Sequence, residues 1–244
     1  VQALRVADTG IICLTAKSGI AVGTEKGWKA LADADLPAMF YVSKLDEEHA
    51  NFFGTYESIH DTFGASAIPF TFPILNGEQA VGVVDLITKK AYDVAGKEIA
   101  LTADAEEKIE EYMMALNEQV AETDEELMEK FFMEEPFTME ELIKGVKDGM
   151  MQRSITPVFA GSASAGYGSK RLMEYIVKFC PNPLEGLALQ TEEDGEFKLD
   201  PNGSPMAFVY KTTSDQFGKN SYFKVISGDI EDTMTVVNAR TGDN

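Results

Sequence analysis

An apolar segment that ends abruptly in polar residues constrains the fold of this chain more than any other feature. Residues 38–42 are all apolar, and the tetrapeptide Ser43-Lys44-Leu45-Asp46 follows them directly. Such an unbroken apolar run is typical of a strand that is buried on both faces, as in a parallel sheet. Ligands of open α/β sheets bind outside the carboxyl ends of the strands. The tetrapeptide is therefore expected at a ligand-binding edge; the alternative is an ordinary surface loop.

A strand–helix–strand pattern surrounds this run. Residues 10–16 form a predicted strand that is apolar on both faces, and Thr24 is the predicted N-cap of the helix that follows it. Another helix is predicted over residues 52–63, with apolar residues at three- and four-residue spacing. Strands joined by a crossover helix are parallel, with a right-handed connection. The first two strands are therefore expected to be parallel neighbours.

A third buried strand is predicted at residues 155–160, and the small residues Gly161-Ser162-Ala163 follow it. Small residues let a backbone come close to a ligand. The tetrapeptide suggests which ligand. A carboxylate such as that of Asp46 has two acceptor oxygens, which can accept the N1 and N2 protons of guanine as a pair, whereas adenine lacks both protons.

The middle of the chain has a different sequence pattern, with short predicted strands followed by acidic helices. Four short strands are predicted at residues 67–75, 80–87, 89–94 and 98–101, with turn signals typical of antiparallel sheets. Helices are predicted at residues 104–121, 124–132 and 139–152, with capping boxes that begin at Thr123 and Thr138. Residues 85–150 carry 19 acidic residues against 7 lysines, a net charge of −12. Such a surface is either simply solvated or a docking face for a partner.

The C-terminal part of the chain has the alternation of β-strands. A polar linker is predicted at residues 184–203. Strands are predicted at residues 207–210, 222–226 and 234–237, with turns at residues 218–220 and 228–229. Residues 204–244 are long enough only for the beginning of a barrel.

Composition narrows the classes of partner. The formal net charge of −20 repels phosphate backbones, so direct nucleic-acid binding through a basic face is not expected. Cys13 and Cys180 lie far apart without metal-ligand spacing, and we expect two buried thiols in a reducing cytosol. No stretch approaches the roughly 20 apolar residues that span a bilayer. Because the chain begins at Val1 in mid-pattern, it is expected to be an internal piece of a longer protein.

In this order, the segments resemble elongation factor G and its near relatives among the translational GTPases, over nearly all of the chain. The matching motifs are Ala3-Leu4-Arg5-Val6-Ala7-Asp8, Thr24-Glu25, Val42 to Asp46, Asn51-Phe52, Gly82-Val83-Val84-Asp85-Leu86, Glu125-Glu126-Leu127-Met128-Glu129-Lys130, Gly161-Ser162-Ala163 and Phe223-Lys224-Val225-Ile226-Ser227-Gly228. Each motif is weak alone, and their common order makes the resemblance specific.

The resemblance implies an α/β fold. A partial P-loop-type GTPase domain of parallel strands and helices would carry an inserted α+β subdomain and lead into an antiparallel β-barrel domain. Residues 1–65 and 153–183 would be the C-terminal half of the GTP-binding domain, residues 66–152 the inserted subdomain, residues 184–203 the linker and residues 204–244 the incomplete barrel domain. The three strands of the GTP-binding half are expected to lie next to one another.

The resemblance also implies a guanine-binding half-site. Its residues would be Ser43, Lys44, Asp46, Gly161, Ser162 and Ala163. In the family, the residue at the position of Asp46 pairs with the guanine N1 and N2 protons, the stem of Lys44 lies along the base and ribose, and the backbone around Ser162-Ala163 donates to O6. Adenine would leave the carboxylate unpaired at a cost of about 1 to 3 kcal/mol. The family usually has Asn at position 43, and the shorter Ser43 is expected to keep a loop hydrogen bond without reaching the base.

Phosphoryl transfer is expected to depend on residues outside this chain. The sequence contains neither the Gly-x-x-x-x-Gly-Lys-Ser/Thr phosphate loop nor the Asp-x-x-Gly-His stretch with which the family places magnesium and the attacking water. No catalytic or metal-binding residue is therefore assigned here. GTP or GDP is the expected ligand, and Mg²⁺ is expected only in the full-length parent. That parent would be a cytoplasmic GTPase that drives ribosomal translocation, whereas this chain alone is expected to be inactive.

The resemblance implies a ribosomal partner as well. The family's inserted subdomain contacts the ribosomal stalk protein, which favours the docking interpretation of the acidic helices; no membrane contact is expected. Two alternatives stay open. One is a non-catalytic, ribosome-associated binding module with a vestigial nucleotide site, to which Ser43 points. The other is a translational GTPase of the ribosome-protection or release-factor type.

Overall fold

The chain divides into two units, which are described separately. The computed structural model describes residues 2–186, 188–190 and 195–242, and the first unit is Asp8–Pro181. Its strands are β1 (Gly10–Thr15), β2 (Ala38–Ser43), β3 (Ala67–Pro69), β4 (Thr71–Asn76), β5 (Gln79–Asp85), β6 (Lys90–Asp93), β7 (Glu98–Ile99) and β8 (Thr156–Ala160). Its helices are α1 (Val22–Asp33), α2 (Phe52–Phe63), α3 (Ala103–Ala121), α4 (Glu125–Phe132), α5 (Met139–Met151) and α6 (Ser169–Phe179).

A parallel sheet of strand order β1-β2-β8-β3 underlies the predicted site. Five of the six residues of β2 are buried, so both of its faces are covered. The predicted strands at residues 10–16, 38–42 and 155–160 are β1, β2 and β8. The prediction that they lie next to one another is confirmed. The prediction of two buried thiols is wrong. Strand β1 is at the edge of the sheet, and both Ile11 and Cys13 are exposed on one of its faces, while Cys180 is only partly buried.

Aromatic packing joins α1 and α2 to the sheet. The ring of Trp28 lies 5.5 Å from that of Phe40 and 5.0 Å from that of Phe63. Such contacts belong to the core, because stacked aromatic rings bury large apolar areas. Thr24 is not the N-cap of α1, which begins two residues earlier. Its hydroxyl instead accepts a hydrogen bond from the N–H of Ala21 at 3.2 Å, inside the first turn.

The predicted strand at residues 67–75 is two strands in two sheets. Strand β3 pairs with β8 in the parallel sheet, and β4 pairs with β5 in an antiparallel sheet of order β4-β5-β6-β7. The chain passes between the sheets at Phe70, whose N–H donates to the carbonyl of Val158 at 2.8 Å, and at Thr71, whose hydroxyl accepts from the N–H of Ala160 at 2.8 Å. Both residues are fully buried, so the apolar pattern continues without a visible break.

The three predicted acidic helices are present as α3, α4 and α5. The capping box of α5 is confirmed: the hydroxyl of Thr138 accepts from the N–H of Glu141 at 3.2 Å, and the carboxylate of Glu141 accepts from the N–H of Thr138 at 2.8 Å. At α4 the N-cap is Asp124 rather than the predicted Thr123, because the carboxylate of Asp124 reaches the N–H of Glu126 at 2.9 Å.

The second unit comprises the described parts of Val1–Ala7 and Asn182–Asn244. It contains a 3-10 helix (Gln2–Arg5) and the strands β9 (Leu189–Gln190), β10 (Glu196–Phe197), β11 (Met206–Asp215) and β12 (Gly218–Ser227). Strands β11 and β12 form a hairpin that turns at residues 216–217, two residues before the predicted turn.

Two further predictions differ from this unit. The predicted linker at residues 184–203 contains the short antiparallel pair β9–β10. The strand predicted at residues 234–237 is wrong, since the described residues after β12, up to residue 242, form no strand. Met234, Val236 and Val237 are exposed there, and a strand is stable only when it pairs with a neighbour.

Candidate functional site

Two loops meet at the carboxyl edge of the parallel sheet. The first loop (residues 43–47) begins at the last residue of β2, and the second loop (residues 161–168) follows β8. The N–H of Gly161 donates to the carbonyl of Val42 at 3.1 Å, and the N–H of Leu45 faces the carbonyl of Gly161 at 3.4 Å. The parallel pairing of β2 with β8 thus brings all six predicted site residues to one edge.

Local anchors determine which side chains of the first loop face solvent. Leu45 is buried and holds the loop against the core. The hydroxyl of Ser43 donates to the carbonyl of Leu14 on β1 at 3.1 Å. Lys44 lies between these anchors with a left-handed φ of 61°, and both Lys44 and Asp46 are exposed. The loop therefore presents an ammonium and a carboxylate to solvent.

The ammonium of Lys44 already has a partner. Its Nζ lies 2.7 Å from a carboxylate oxygen of Glu47, and this hydrogen bond raises the pKa of Lys44. The two side chains are 51% and 42% exposed, and ion pairs at such positions contribute little to stability because solvent screens them. A ligand could therefore displace this pair at little cost.

Glycine is required at position 161 because other residues of the same chain leave no room for a side chain. A Cβ added there would lie 2.6 Å from the hydroxyl oxygen of Tyr41 and 2.7 Å from the carbonyl oxygen of Tyr167. Ser162 is fully buried, and its N–H donates to that same carbonyl at 2.9 Å. The sequence suggested close approach to a ligand as the reason for the small residue, whereas the close neighbours are two tyrosines of the same chain.

Hydroxyl groups surround the carboxylate of Asp46. The hydroxyl of Ser164 donates to Oδ2 of Asp46 at 3.3 Å, and the hydroxyl oxygens of Ser162 and Ser164 are 3.1 Å apart. Hydrogen bonding from Ser162 is the main cause of a lowered pKa of Asp46, and Ser164 and Lys44 act in the same direction. The carboxyl is therefore ionised at neutral pH and can only accept hydrogen bonds. Sequence reasoning missed Ser164; its hydroxyl two residues after Ser162 was the available signal.

Two backbone N–H groups without an acceptor among the described residues occur in the loop whose Ser164 hydroxyl contacts this carboxylate. Ala163 and Ser164 are both exposed. Among the described residues, none accepts a hydrogen bond from the N–H of Ala163 or from that of Ser164, whereas the next N–H, of Ala165, donates to Ser162 Oγ at 3.1 Å. The edge of the sheet thus offers a two-oxygen acceptor next to N–H groups that are available to a ligand.

Two buried tyrosines that sequence reasoning did not single out belong to this region: Tyr41 on β2 and Tyr167 in the second loop. The hydroxyl oxygen of Tyr41 lies 3.4 Å from Oγ of Ser169. The hydroxyl of Tyr167 is buried and has no hydrogen-bond partner among the described residues. Burial raises the pKa of Tyr167 to about 12, and the negative charge of Asp46 adds to this effect. Burial also raises the pKa of Tyr41, so both phenols are neutral.

The part of the chain that the structure describes meets the requirements of neither a metal site nor a membrane-crossing helix. Within the described ranges, no group of three or more His, Cys, Asp or Glu side chains is placed to hold a metal ion. In the same part of the chain, no helix combines the length and apolar character that crossing a bilayer requires.

Comparison with known proteins identifies the family. The model of the elongation factor Tu GTP-binding domain matches residues 1–182. A crystal structure of a protein from Thermus thermophilus is similar to this chain, with a TM-score of 0.78 and 28% sequence identity over 93% of this chain and 33% of that protein. This chain thus spans about a third of that protein's length. It has the expected α/β fold of a GTPase domain followed by a β-rich region, and it belongs to the family of the elongation factor Tu GTP-binding domain.

Proposed function

We propose that this chain carries the guanine-selecting half of the nucleotide site in a translational GTPase. The observation that carries the proposal is the exposed carboxylate of Asp46 beside the available N–H groups of Ala163 and Ser164. Guanine has the N1 and N2 protons next to the acceptor O6, which is the complementary set. Adenine would leave the carboxylate without donors, at a cost of about 1 to 3 kcal/mol.

Each residue of the half-site has a proposed role. Asp46 accepts the N1 and N2 protons, and the stem of Lys44 lies along the base and ribose once its ammonium leaves Glu47. The backbone of Ala163 donates to O6, while Gly161 and Ser162 keep the second loop close to the first. Ser43 holds the first loop through Leu14 and has no direct role at the base.

The wider proposal concerns the parent protein. Membership of the family supports a GTP hydrolase that resembles elongation factor G, works in the cytoplasm and drives ribosomal translocation. Hydrolysis and Mg²⁺ are assigned to residues outside this chain, and the chain alone is proposed to be inactive. The acidic helices α3 to α5 are the proposed contact for the ribosomal stalk protein, through charge and exposure.

The proposed domain limits follow from the same resemblance. Residues 1–65 and 153–183 belong to the GTP-binding domain, and residues 66–152 form the inserted subdomain. The linker covers residues 184–203, and the first part of a barrel domain covers residues 204–244. Strand β3 pairs in parallel with β8, which favours a limit a few residues later than residue 66.

A second candidate is a ribosome-associated binding module with a vestigial nucleotide site. The engagement of Ser43 with Leu14 and of Lys44 with Glu47 favours it, since neither side chain is free. A GTPase of the ribosome-protection or release-factor type is a third candidate within the same family. The binding module predicts no preference among purine nucleotides, which separates it from both GTPases.

The deciding experiment is a change of base preference in the full gene product. Asp46→Asn replaces one acceptor with an amide donor, which suits the C2 carbonyl of xanthine. We expect GDP affinity to fall about 10- to 100-fold, the equivalent of one or two charged hydrogen bonds, while the affinity for xanthosine diphosphate rises. Equilibrium binding of both nucleotides measures this.

Asp61→Asn is the matched control for this experiment. It is the same chemical change at a side chain that is 84% exposed on α2 and belongs to neither loop. The Asp61→Asn variant should bind GDP and xanthosine diphosphate with the affinities of the wild type. An unchanged preference for GDP in Asp46→Asn would refute the role of Asp46.

A further inference from the structure

A chain of hydroxyl groups leads from the second loop to the carboxylate of Asp46. It begins at the N–H of Ala165, which donates to Oγ of Ser162 at 3.1 Å. It continues with the 3.1 Å contact between Ser162 and Ser164 and ends 3.3 Å away, at Oδ2 of Asp46. Ser162 is fully buried, whereas Ser164 and Asp46 are exposed.

The direction of the hydrogen bonds follows from the chemistry of the groups. An ionised carboxylate has no proton to donate, so the hydroxyl of Ser164 is the donor to Asp46. The oxygen of Ser162 accepts from Ala165. Because the proton of Ser164 is directed to Asp46, Ser162 is the donor in its 3.1 Å contact with Ser164. Hydrogen bonds aligned in one direction polarise and strengthen one another. The buried serine thereby supports the exposed one.

We propose that Ser164 is a positioning residue for guanine recognition, whose hydroxyl orients the Asp46 carboxylate toward the base. The inference rests on the proposed guanine site. A carboxylate has about four lone-pair sites, so one bond to Oδ2 leaves at least one site on each oxygen for the N1 and N2 protons. Because Asp46 is otherwise exposed, the bond from Ser164 reduces the side-chain freedom that would be lost on binding.

The groups that face Asp46 define the expected pH behaviour. Hydrogen bonding from Ser162 is the main cause of the lowered pKa of Asp46, and Ser164 and Lys44 also favour the charged form. The nearby Tyr41 and Tyr167 are neutral, because burial raises the pKa of each phenol. Removal of the Ser164 hydroxyl takes away a donor to the charged form, so the pKa of Asp46 should rise. Binding that needs an ionised Asp46 would then be lost at a higher pH during acidification.

The test compares Ser164→Ala with Ser164→Thr in the full gene product. We expect Ser164→Ala to weaken GDP binding about 3- to 10-fold, as for one side chain that must be ordered on binding. The pH at which GDP binding is lost should move upward, and so should the titration of the Asp46 carboxyl carbon in NMR spectra without nucleotide. Ser164→Thr keeps the hydroxyl and should restore all three values, because its extra methyl group extends from an exposed position.

Ser58→Ala is the matched control. It removes a hydroxyl that donates to the carbonyl of Gly54 at 2.9 Å on the exposed face of α2, and it should leave GDP binding unchanged. Wild-type binding and an unmoved titration in Ser164→Ala would overturn the inference. A loss of affinity that Ser164→Thr does not restore would also overturn it, since the hydroxyl would then not be the cause.

Asp46→Asn separates this inference from the proposed function. If Asp46→Asn changes the preference between GDP and xanthosine diphosphate while Ser164→Ala behaves as wild type, only the role of Ser164 is refuted. If Asp46→Asn leaves the preference unchanged, the guanine site and the role of Ser164 are refuted together. Both the guanine site and the role of Ser164 are supported if Asp46→Asn changes the nucleotide preference, Ser164→Ala weakens GDP binding and Ser164→Thr restores it.

Discussion

Two aspartates near the ends of strands in the first unit have opposite surroundings. Asp85 is the last residue of β5 and is 1% exposed. Its Oδ1 accepts from the hydroxyl of Tyr175 and from the N–H of Thr88 at 3.0 Å, and Nε of Arg171 lies 3.9 Å from Oδ2. Asp46 lies three residues after β2, is exposed and has small hydroxyls as its neutral donors.

The difference separates a structural carboxylate from the carboxylate that is proposed to bind guanine. The donors to Asp85 come from α6 and from its own turn, and the guanidinium of Arg171 also lies 4.0 Å above the ring of Tyr92 on β6. This cluster holds the antiparallel sheet against α6 and leaves no access for a ligand. Asp46 keeps lone pairs that face solvent, so an incoming base can complete its hydrogen bonds.

The largest expected effect tests the structural half of this comparison. Asp85→Ala leaves the hydroxyl of Tyr175 and the guanidinium of Arg171 without their carboxylate, and it should lower the free energy of unfolding by about 3 kcal/mol. Urea unfolding measures this. The fluorescence of Trp28, the single tryptophan, reports it, because its ring is packed on Phe40.

Asp46→Asn is the partner variant for this measurement. Its free energy of unfolding should stay within about 0.5 kcal/mol of the wild type, as for most surface substitutions. If Asp85→Ala and Asp46→Asn lower the free energy of unfolding equally, the two carboxylates do not differ in their structural role.

The second prediction concerns the rigid base of the exposed site. Gly161→Ala places a Cβ against Tyr41 and the backbone of Tyr167, and should lower the free energy of unfolding by about 2 kcal/mol through overpacking. GDP affinity should fall as well, since the second loop must move. Gly23→Ala is the control. It meets no atom within 4 Å on α1 and should raise the free energy of unfolding by about 0.5 kcal/mol. A tolerated Gly161→Ala would mean that the second loop adapts freely.

Sequence reasoning reached the parallel strands and the meeting of the two loops at one edge of the sheet, because both depend on local patterns. The apolar runs that became β2 and β8 end where the predicted loops begin. It failed where tertiary contacts decide. The change of sheet at Phe70 leaves the apolar pattern intact, and the link between Ser164 and Asp46 joins residues 118 positions apart. The strand predicted at residues 234–237 has the right alternation but no partner strand among the described residues.

A third prediction contrasts two tyrosines with buried hydroxyls. Tyr167→Phe removes a hydroxyl without a partner among the described residues and should raise the free energy of unfolding by about 1 kcal/mol. Tyr175→Phe removes the donor to Asp85 and should lower it by a similar or larger amount. Urea unfolding of both variants gives the two signs. A destabilised Tyr167→Phe would show that this hydroxyl has a partner in solution. The hydroxyl of Tyr167 would then stabilise the fold, as the hydroxyl of Tyr175 does through Asp85.

The smallest expected effect is the pH dependence that Asp46 contributes to stability. Its folded pKa lies below the ordinary value of 3.8, so the unfolded chain takes up the proton first during acidification. The contribution is complete above the ordinary pKa and disappears as the pH falls through the lowered one. Solvent screens this exposed group, so the contribution should be about 0.5 kcal/mol or less. The difference in unfolding free energy between wild type and Asp46→Asn, followed from neutral to acidic pH, should shrink toward the acid end. A difference that grows on acidification would mean that the folded protein favours the protonated form of Asp46. A protonated carboxyl could not accept both guanine protons, so this result would contradict the proposed role.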